Sequence, residues 1–390
     1  MAMGLGIGKR IARERRVAGM TQLQLARAID YSPSMVRKVE QDLKIPTPGF
    51  IAAVARVCDI DQEVLRGTPF RDTLEEEGPL EGIAELRAIL CEGEYVRAVE
   101  PPPLAELQAA MKVINDDDRK GKSRRALANL PALIRQAYGA LRDNPSPEVY
   151  DLLCSAFNAA DRMCRRFGFM SLTIPAIDRY DWAAAHSGDR LAVAVGKVMR
   201  TRLLVYQDST DLALMLVDKA LVEAQGDSDD ALSVMGAAHL AGAVAAARGL
   251  RLDTARDHIA EARLIGSRLG FETRAYETLF GPANTEIHSV GVELEAGDPG
   301  RAAREGSALI LPPSIAKTRA GHLWQDIARA WVMTGQPDKA IKALNVARTV
   351  ALQQTKLHPS VRETLGAIAA AERRSTGSTA EFARWLGVSV

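Results

Sequence analysis

Two helix starts lie eleven residues apart near the beginning of this chain, and no other feature narrows its fold as much. Thr21 and Gln24 form a T-x-x-Q capping box, in which the threonine oxygen accepts an amide hydrogen of the first turn and the glutamine reaches back. A helix is therefore predicted from Gln22, with Leu23, Leu25, Ala26 and Ile29 on its apolar side. Asp30-Tyr31 supplies a tight turn. Ser32 then caps a second helix whose first position is Pro33, where a missing amide hydrogen costs nothing. In that helix Met35, Val36 and Val39 point inward, and Ser34, Arg37 and Lys38 point out. Two short helices, a brief turn and a polar, basic outer face make a unit that fits a DNA major groove.

The flanks extend the unit. Residues 7–18 read as a preceding helix with Ile7, Ile11 and Val17 inward among Lys9, Arg10, Arg13 and Arg16. The loop from Asp42 to Pro46 offers Lys44 to a phosphate, and Thr47-Pro48 begins a helix with Phe50, Ile51, Val54 and Val57 as core. Asp61 caps a last short helix that stops at Gly67. Charge is concentrated in the same part. Residues 1–70 hold 11 of the 50 basic and 7 of the 49 acidic side chains, so an excess of 4 sits there and the remainder is at minus 3. That balance suits phosphate contact by the N-terminal part and argues against a second nucleic-acid surface.

The residues Thr21-Gln22, Leu25-Ala26, Ser32, Val36 and Glu40 resemble the Xre/Cro-type repressor family over roughly residues 7–67, a five-helix domain. The resemblance implies that Thr21 and Gln22 lie at the DNA backbone, Gln22 on a phosphate. It further implies that Ser32, Pro33, Ser34, Arg37 and Lys38 read base edges, and that Arg15 and Glu40 form a partly buried ion pair. Asp30 stands where the family often has Gly, and Asp tolerates a left-handed backbone. Pro33 removes a hydrogen-bonding side chain from a reading position, which leaves Arg37, Lys38 and Ser34 to carry specificity.

Beyond this unit the chain reads as all-α. Its 390 residues suffice for more than one domain, and 47% apolar content dominated by Ala and Leu, with only 5% aromatic residues, favours packed helices over sheets. No window is long and apolar enough to cross a bilayer and the N-terminus has no signal-peptide core, so a cytoplasmic protein without membrane contact is expected. Cys58, Cys91, Cys154 and Cys164 sit in apolar helical contexts and are expected as buried, reduced thiols. The histidines show no i, i+4 pairing, so neither a metal nor any other cofactor is expected. Residues 1–67 form the first unit. Residues 68–122 read as a linker, with the acidic run Glu75 to Glu77, followed by adapter helices near Ile83–Cys91 and Leu104–Asp117.

From residue 123 to residue 390, amphipathic helices of 12 to 20 residues follow one another, and a repeat frame emerges. His322 to Leu352 carries Trp324, Ile327, Ala328, Trp331, Gly335, Ala340, Leu344 and Ala347 at the spacing of a tetratricopeptide-like hairpin. Weaker copies place Ala176, Ala213, Ala255 and Ala302 in the position of Ala340, 37 to 47 residues apart. Stacked hairpins bury each other's apolar faces and leave a groove lined by the first helix of each. The groove positions are Asn158, Asp161, Arg165, Arg202 and Tyr206, then Arg248, Asn284, Gln325 and Arg329, with His322 nearby. Such side chains suit an extended peptide or an anionic group. The last helices, near 360–374 and 379–386, either cap the array through Arg362, Glu363, Glu372, Arg373 and Arg374 or dimerise through Phe382, Trp385 and Leu386.

The two-part layout, with the stretches FGPANTEIHSVGVELEAGD and LPPSIAKTRAGHLWQDIARAW, resembles the actinobacterial helical-repeat transcription regulators, some of which sense signalling peptides. The resemblance implies a regulator that binds a double-stranded DNA operator as a homodimer, under control of a peptide or small-molecule effector. The alternative is a helical-repeat adaptor that binds a partner protein and is localised on DNA, with no small ligand. An enzyme is not expected: the sequence has no P-loop, dinucleotide fingerprint, nucleophile elbow or metal spacing.

Overall fold

Three of the four predicted caps, Thr21, Ser32 and Thr47, are hydrogen bonds in the computed structural model, which describes residues 6–67, 80–371 and 377–388, whereas Asp61 precedes its helix without a side-chain cap bond. Thr21 Oγ1 accepts from the amide of Gln24 at 3.2 Å and Gln24 Oε1 accepts from the amide of Thr21 at 2.8 Å. Ser32 and Thr47 cap their helices from the amides of Met35 and Phe50, both at 3.1 Å. The helices so begun are α2 (Gln22–Ala28), α3 (Pro33–Glu40) and α4 (Pro48–Val57), flanked by α1 (Ile7–Val17) and α5 (Gln62–Arg66). Asp30 takes the left-handed conformation that the tight turn requires, at φ 57°.

Ile11, Leu25, Val36, Val39, Phe50, Ile51, Val54 and Leu65 close one core, and each such burial stabilises by roughly 1.5–3 kcal/mol. Two expected core members are outside it. Leu23 is 47% and Val17 is 77% exposed. At about 100° per residue, Leu23 lies roughly 200° round α2 from Leu25, and Val17 about 240° round α1 from Ile11, so neither shares its partner's face.

Among the described residues the rest of the chain is also helical, with no strand. After α6 (Ile83–Glu92), successive helices pack as hairpins. They are α7 and α8 (Leu104–Arg119, Ser123–Asp143), α9 and α10 (Pro147–Arg166, Thr173–Ser187), and α11 and α12 (Arg190–Tyr206, Thr210–Ala224). They continue with α13 and α14 (Asp229–Arg248, Leu252–Leu269), α15 and α16 (Pro282–Glu295, Pro299–Ala308), and α17 and α18 (Lys317–Met333, Pro337–Val350). The chain ends in α19 (Leu352–Leu357), α20 (Pro359–Ala371) and α21 (Gly377–Leu386). Ala176, Ala213, Ala255, Ala302 and Ala340 each lie on a second helix and are completely buried, where a small side chain lets the two helices of a hairpin approach closely.

Several expectations change here. α6 and α7 share one core with the first hairpins, through Leu86, Ile89 and Leu107 against Leu127 and Phe157. α13 is long and apolar enough to cross a bilayer, contrary to the sequence reading, yet most of it is buried inside the protein. Its alanine-rich surface is covered by helices on several sides, as befits a helix apolar all round. Cys154 and Cys164 are buried, and burial pushes the Cys164 thiol up to about 12. Cys91, by contrast, is exposed and Cys58 half-buried. At the far end Phe382 and Leu386 are fully buried against Val361 and Leu365, so they are not open to a second copy. Glu363 is not an outward cap residue, because its side chain is 8% exposed and pairs with Arg66. The linker with Glu75 to Glu77, and Glu372, Arg373 and Arg374, lie outside the described residues.

Candidate nucleic-acid interface and effector cavity

The outer face of α3 is built by subtraction. Val36 and Val39 anchor it in the core, which leaves Ser32, Pro33, Ser34, Arg37 and Lys38 exposed together, with Lys44 exposed on the loop that follows. Among the described residues the side chains of Arg37, Lys38 and Lys44 have no hydrogen-bond or ion-pair partner. Thr21 is exposed too, with its hydroxyl committed to the cap of α2, as that of Ser32 is to α3.

A buried charge pair holds α3 in place. Arg15 Nε and Nη2 donate to the two oxygens of Glu40 at 2.6 and 2.9 Å, and Arg15 Nη1 donates to the carbonyl of Met20 at 2.6 Å. Gln22 Nε2 also donates to Glu40, at 2.7 Å. In this structure the side-chain amide that the family resemblance implied on a DNA phosphate is on the ion pair. Burial alone would raise the Glu40 carboxyl; the hydrogen bonds from Arg15 and Gln22 outweigh it and hold the group below the usual carboxylate range. One carboxylate thus fixes the end of α1, the start of α2 and the end of α3 in a single arrangement.

The module's opposite side rests on the array. α4 packs on α11 and α13, so closely that a Cβ on Gly49 would lie 2.8 Å from the carbonyl oxygen of Arg248. Polar ties surround that contact. Arg56 pairs with Asp208 at 2.6 Å, Arg66 with Glu363 at 3.4 Å, and Glu63 Oε1 accepts from the amide of Met170 at 2.8 Å. Gln62 donates to the carbonyl of Tyr206, and Arg329 to that of Pro46.

Between module and array lies a cavity of about 460 Å³. α5 contributes Gln62, Glu63 and Arg66 to its lining, and the array contributes mainly first helices: Arg165 from α9, Tyr206 from α11, Arg248 from α13, His288 and Glu295 from α15, and Arg319, His322, Asp326 and Arg329 from α17. Five of the ten groove positions read from the sequence thus meet in one cavity: Arg165, Tyr206, Arg248, His322 and Arg329. Arg202 stands close to Arg165, whose charge acts on it. The other four are committed elsewhere. Asp161 is 1% exposed and bound to Arg165 at 2.7 Å. Asn158 accepts from Arg162 at 2.7 Å, Asn284 donates to the carbonyl of Leu279 at 2.7 Å, and Gln325 donates to Thr355 at 3.4 Å.

The cavity strongly perturbs its ionisable groups. Burial lowers His288 and His358 to about 3, with the charge of Arg319 adding to it for His288 and that of Arg66 for His358. Burial likewise lowers His322, whose ring sits 5.1 Å from that of His358. Burial raises Asp326 to about 6, with the charge of Arg329 acting against it. The Arg248 guanidinium lies 5.3 Å from the Tyr206 ring centroid, a cation–π contact. Sequence reasoning missed Arg319, Asp326, His288 and the α5 residues. The first two were within reach: Arg319, His322, Asp326 and Arg329 follow one another at three- and four-residue steps, one stripe of a helix.

Residues 7–66 match the protein family described as a helix-turn-helix domain. No curated protein and no solved structure matches the chain. α1 to α5 thus form a helix-turn-helix module of the DNA-binding kind, followed by a helical array.

Proposed function

We propose that this chain is a DNA-binding transcription regulator of the Xre/Cro type whose tetratricopeptide-like array controls operator affinity through an effector. One observation carries the reading: the cavity is lined at once by α5 of the DNA-binding module and by the inner helices of the array. A ligand there meets both parts, and it acts through its differential affinity for the DNA-competent and incompetent arrangements, a coupling of roughly 1–3 kcal/mol in typical cases.

The module meets DNA through α3. Among the described residues Arg37 and Lys38 are exposed without partners on the face turned from the core, with Ser34 beside them and Lys44 at the flanking backbone. A single module of this size makes few contacts, so the regulator works as a homodimer on two half-sites about one helical turn apart. The test is a genome-wide DNA pull-down with the tagged full chain, followed by fluorescence anisotropy on the enriched sequence at fixed salt. A compact site that Arg37→Ala binds more weakly supports the reading; the absence of any enriched site sinks it.

A further inference from the structure

The inference rests on the reading of the cavity as the effector site and concerns what fills it. Near the inner ends of α9, α11 and α17, the guanidinium groups of Arg162, Arg165, Arg166, Arg202 and Arg319 lie close enough to act on one another. Two carboxylates answer these five cations: Asp118 takes Arg162 and Arg166, and Asp161 takes Arg165. Among the described residues Arg202 and Arg319 have neither a hydrogen bond nor an ion pair. Burial, then the neighbouring arginines, pulls Arg319 down to about 9 and Arg202 to about 10, with the charge of Asp161 acting against it on Arg202. Further along α17, Arg329 is 4% exposed, lines the same cavity and, although Nη2 donates to the carbonyl of Pro46, has no partner on Nε among the described residues.

The remaining lining combines an apolar wall of Leu203, Val244, Ile287 and Leu294 with polar groups, among them the carboxylates Glu63, Glu295 and Asp326. These carboxylates stand with α5, α15 and the later turns of α17 rather than beside Arg319. The volume of about 460 Å³ falls in the range of a drug-sized ligand. We propose that the cavity binds a small organic anion, a carboxylate or phosphate on an apolar body, with its charged oxygens on Arg319, Arg165 alongside in the lining, and the neighbouring charge of Arg202 adding to the attraction. A guanidinium matches such a group with two parallel hydrogen bonds. Because Arg66 of α5 lines the same space, a bound anion is sensed by the DNA-binding module as well as by the array.

The test uses the full chain in a buffer free of polyvalent anions, at constant ionic strength, with inorganic phosphate, octanoate and uncharged 1-octanol as probes. The readout is the thermal midpoint as a function of probe concentration. Both anions are expected to stabilise the wild type, octanoate more than phosphate, and octanol little. Arg319→Gln is expected to weaken anion binding roughly tenfold or more, the scale of a lost charge-assisted hydrogen bond. Arg202→Gln serves the same purpose where the first variant does not fold. A response to phosphate without octanoate supports the site and assigns it to a phosphorylated ligand, and the reverse assigns it to a carboxylate. Equal responses in wild type and variant, no response to either anion, or an octanol response equal to octanoate's would overturn the proposal. Operator binding by the same variants separates the outcomes: a failure there strikes the regulator reading, and a failure here strikes only the anion.

Discussion

At the end of α3 a buried charge is matched within the module, whereas at the cavity beneath it two arginines, Arg202 and Arg319, have no partner among the described residues. Glu40 is answered by Arg15 and Gln22 at 2.6 to 2.9 Å, all three within one short stretch of chain. Arg202 and Arg319 come from different hairpins and have no partner among the described residues. The contrast separates two uses of the same residue type. A satisfied pair fixes geometry, while an unpaired buried cation is costly and gains from a counter-charge, which is the basis of the proposed anion site.

The sharpest way to break the first half of the comparison is Glu40→Ala. It strips Arg15 of its carboxylate in a site where the two side chains are 12% and 5% exposed, and a loss of about 3 kcal/mol in urea denaturation is expected. An unaltered midpoint would mean that the pair is not what holds α1 to α3. Next in size are Arg37→Ala and Lys38→Ala, each expected to lower operator affinity roughly tenfold at fixed salt while leaving the thermal midpoint where it was. Affinity equal to wild type in both variants would remove α3 from the interface.

Acid tests the other half. The histidines of the cavity are lowered from 6.5, two of them to about 3, so the unfolded chain takes up protons that the folded chain refuses. Their contribution to stability is complete above about pH 6.5 and is lost as pH falls below it. Asp326 has the opposite sign, since a carboxyl raised from 3.8 to about 6 contributes fully below its ordinary value and loses that contribution as pH rises through about 6. Three imidazoles against one carboxyl predict a thermal midpoint lower at about pH 5 than at about pH 7, with a smaller drop in His288→Gln. A flat profile in calorimetry contradicts this. The smallest effect belongs to Arg56→Ala at the seam between the parts. Arg56 is 51% exposed, so its pair with Asp208 is worth less than about 1 kcal/mol. A larger loss would move the weight of the seam onto that pair.

The same contrast explains what the sequence made legible. Caps, turn and reading face of α2 and α3 depend on residues within a few positions of one another, so Thr21, Asp30, Ser32 and Pro33 announced them. The buried alanines of the second helices were legible because they repeat. The cavity was legible only in part. A repeat frame points to first helices, and it found Arg165, Tyr206 and His322, but rotation about each helix decides whether a polar residue faces the cavity or a neighbouring helix. Gln325 turned to Thr355, while Asp326, one residue on, faces the space. The contribution of α5 left no trace in local pattern, because Gln62 and Glu63 meet Tyr206 and Met170 more than a hundred residues away.

The central claim is that contact between module and array is linked to DNA binding. Its most direct test is the operator affinity of the full chain carrying Gln62→Ala and Glu63→Ala, which removes two ties of α5 to the array and leaves the α3 face untouched. The account predicts a change of roughly fivefold or more against wild type, with the helical content of both proteins the same. Identical affinities would contradict it.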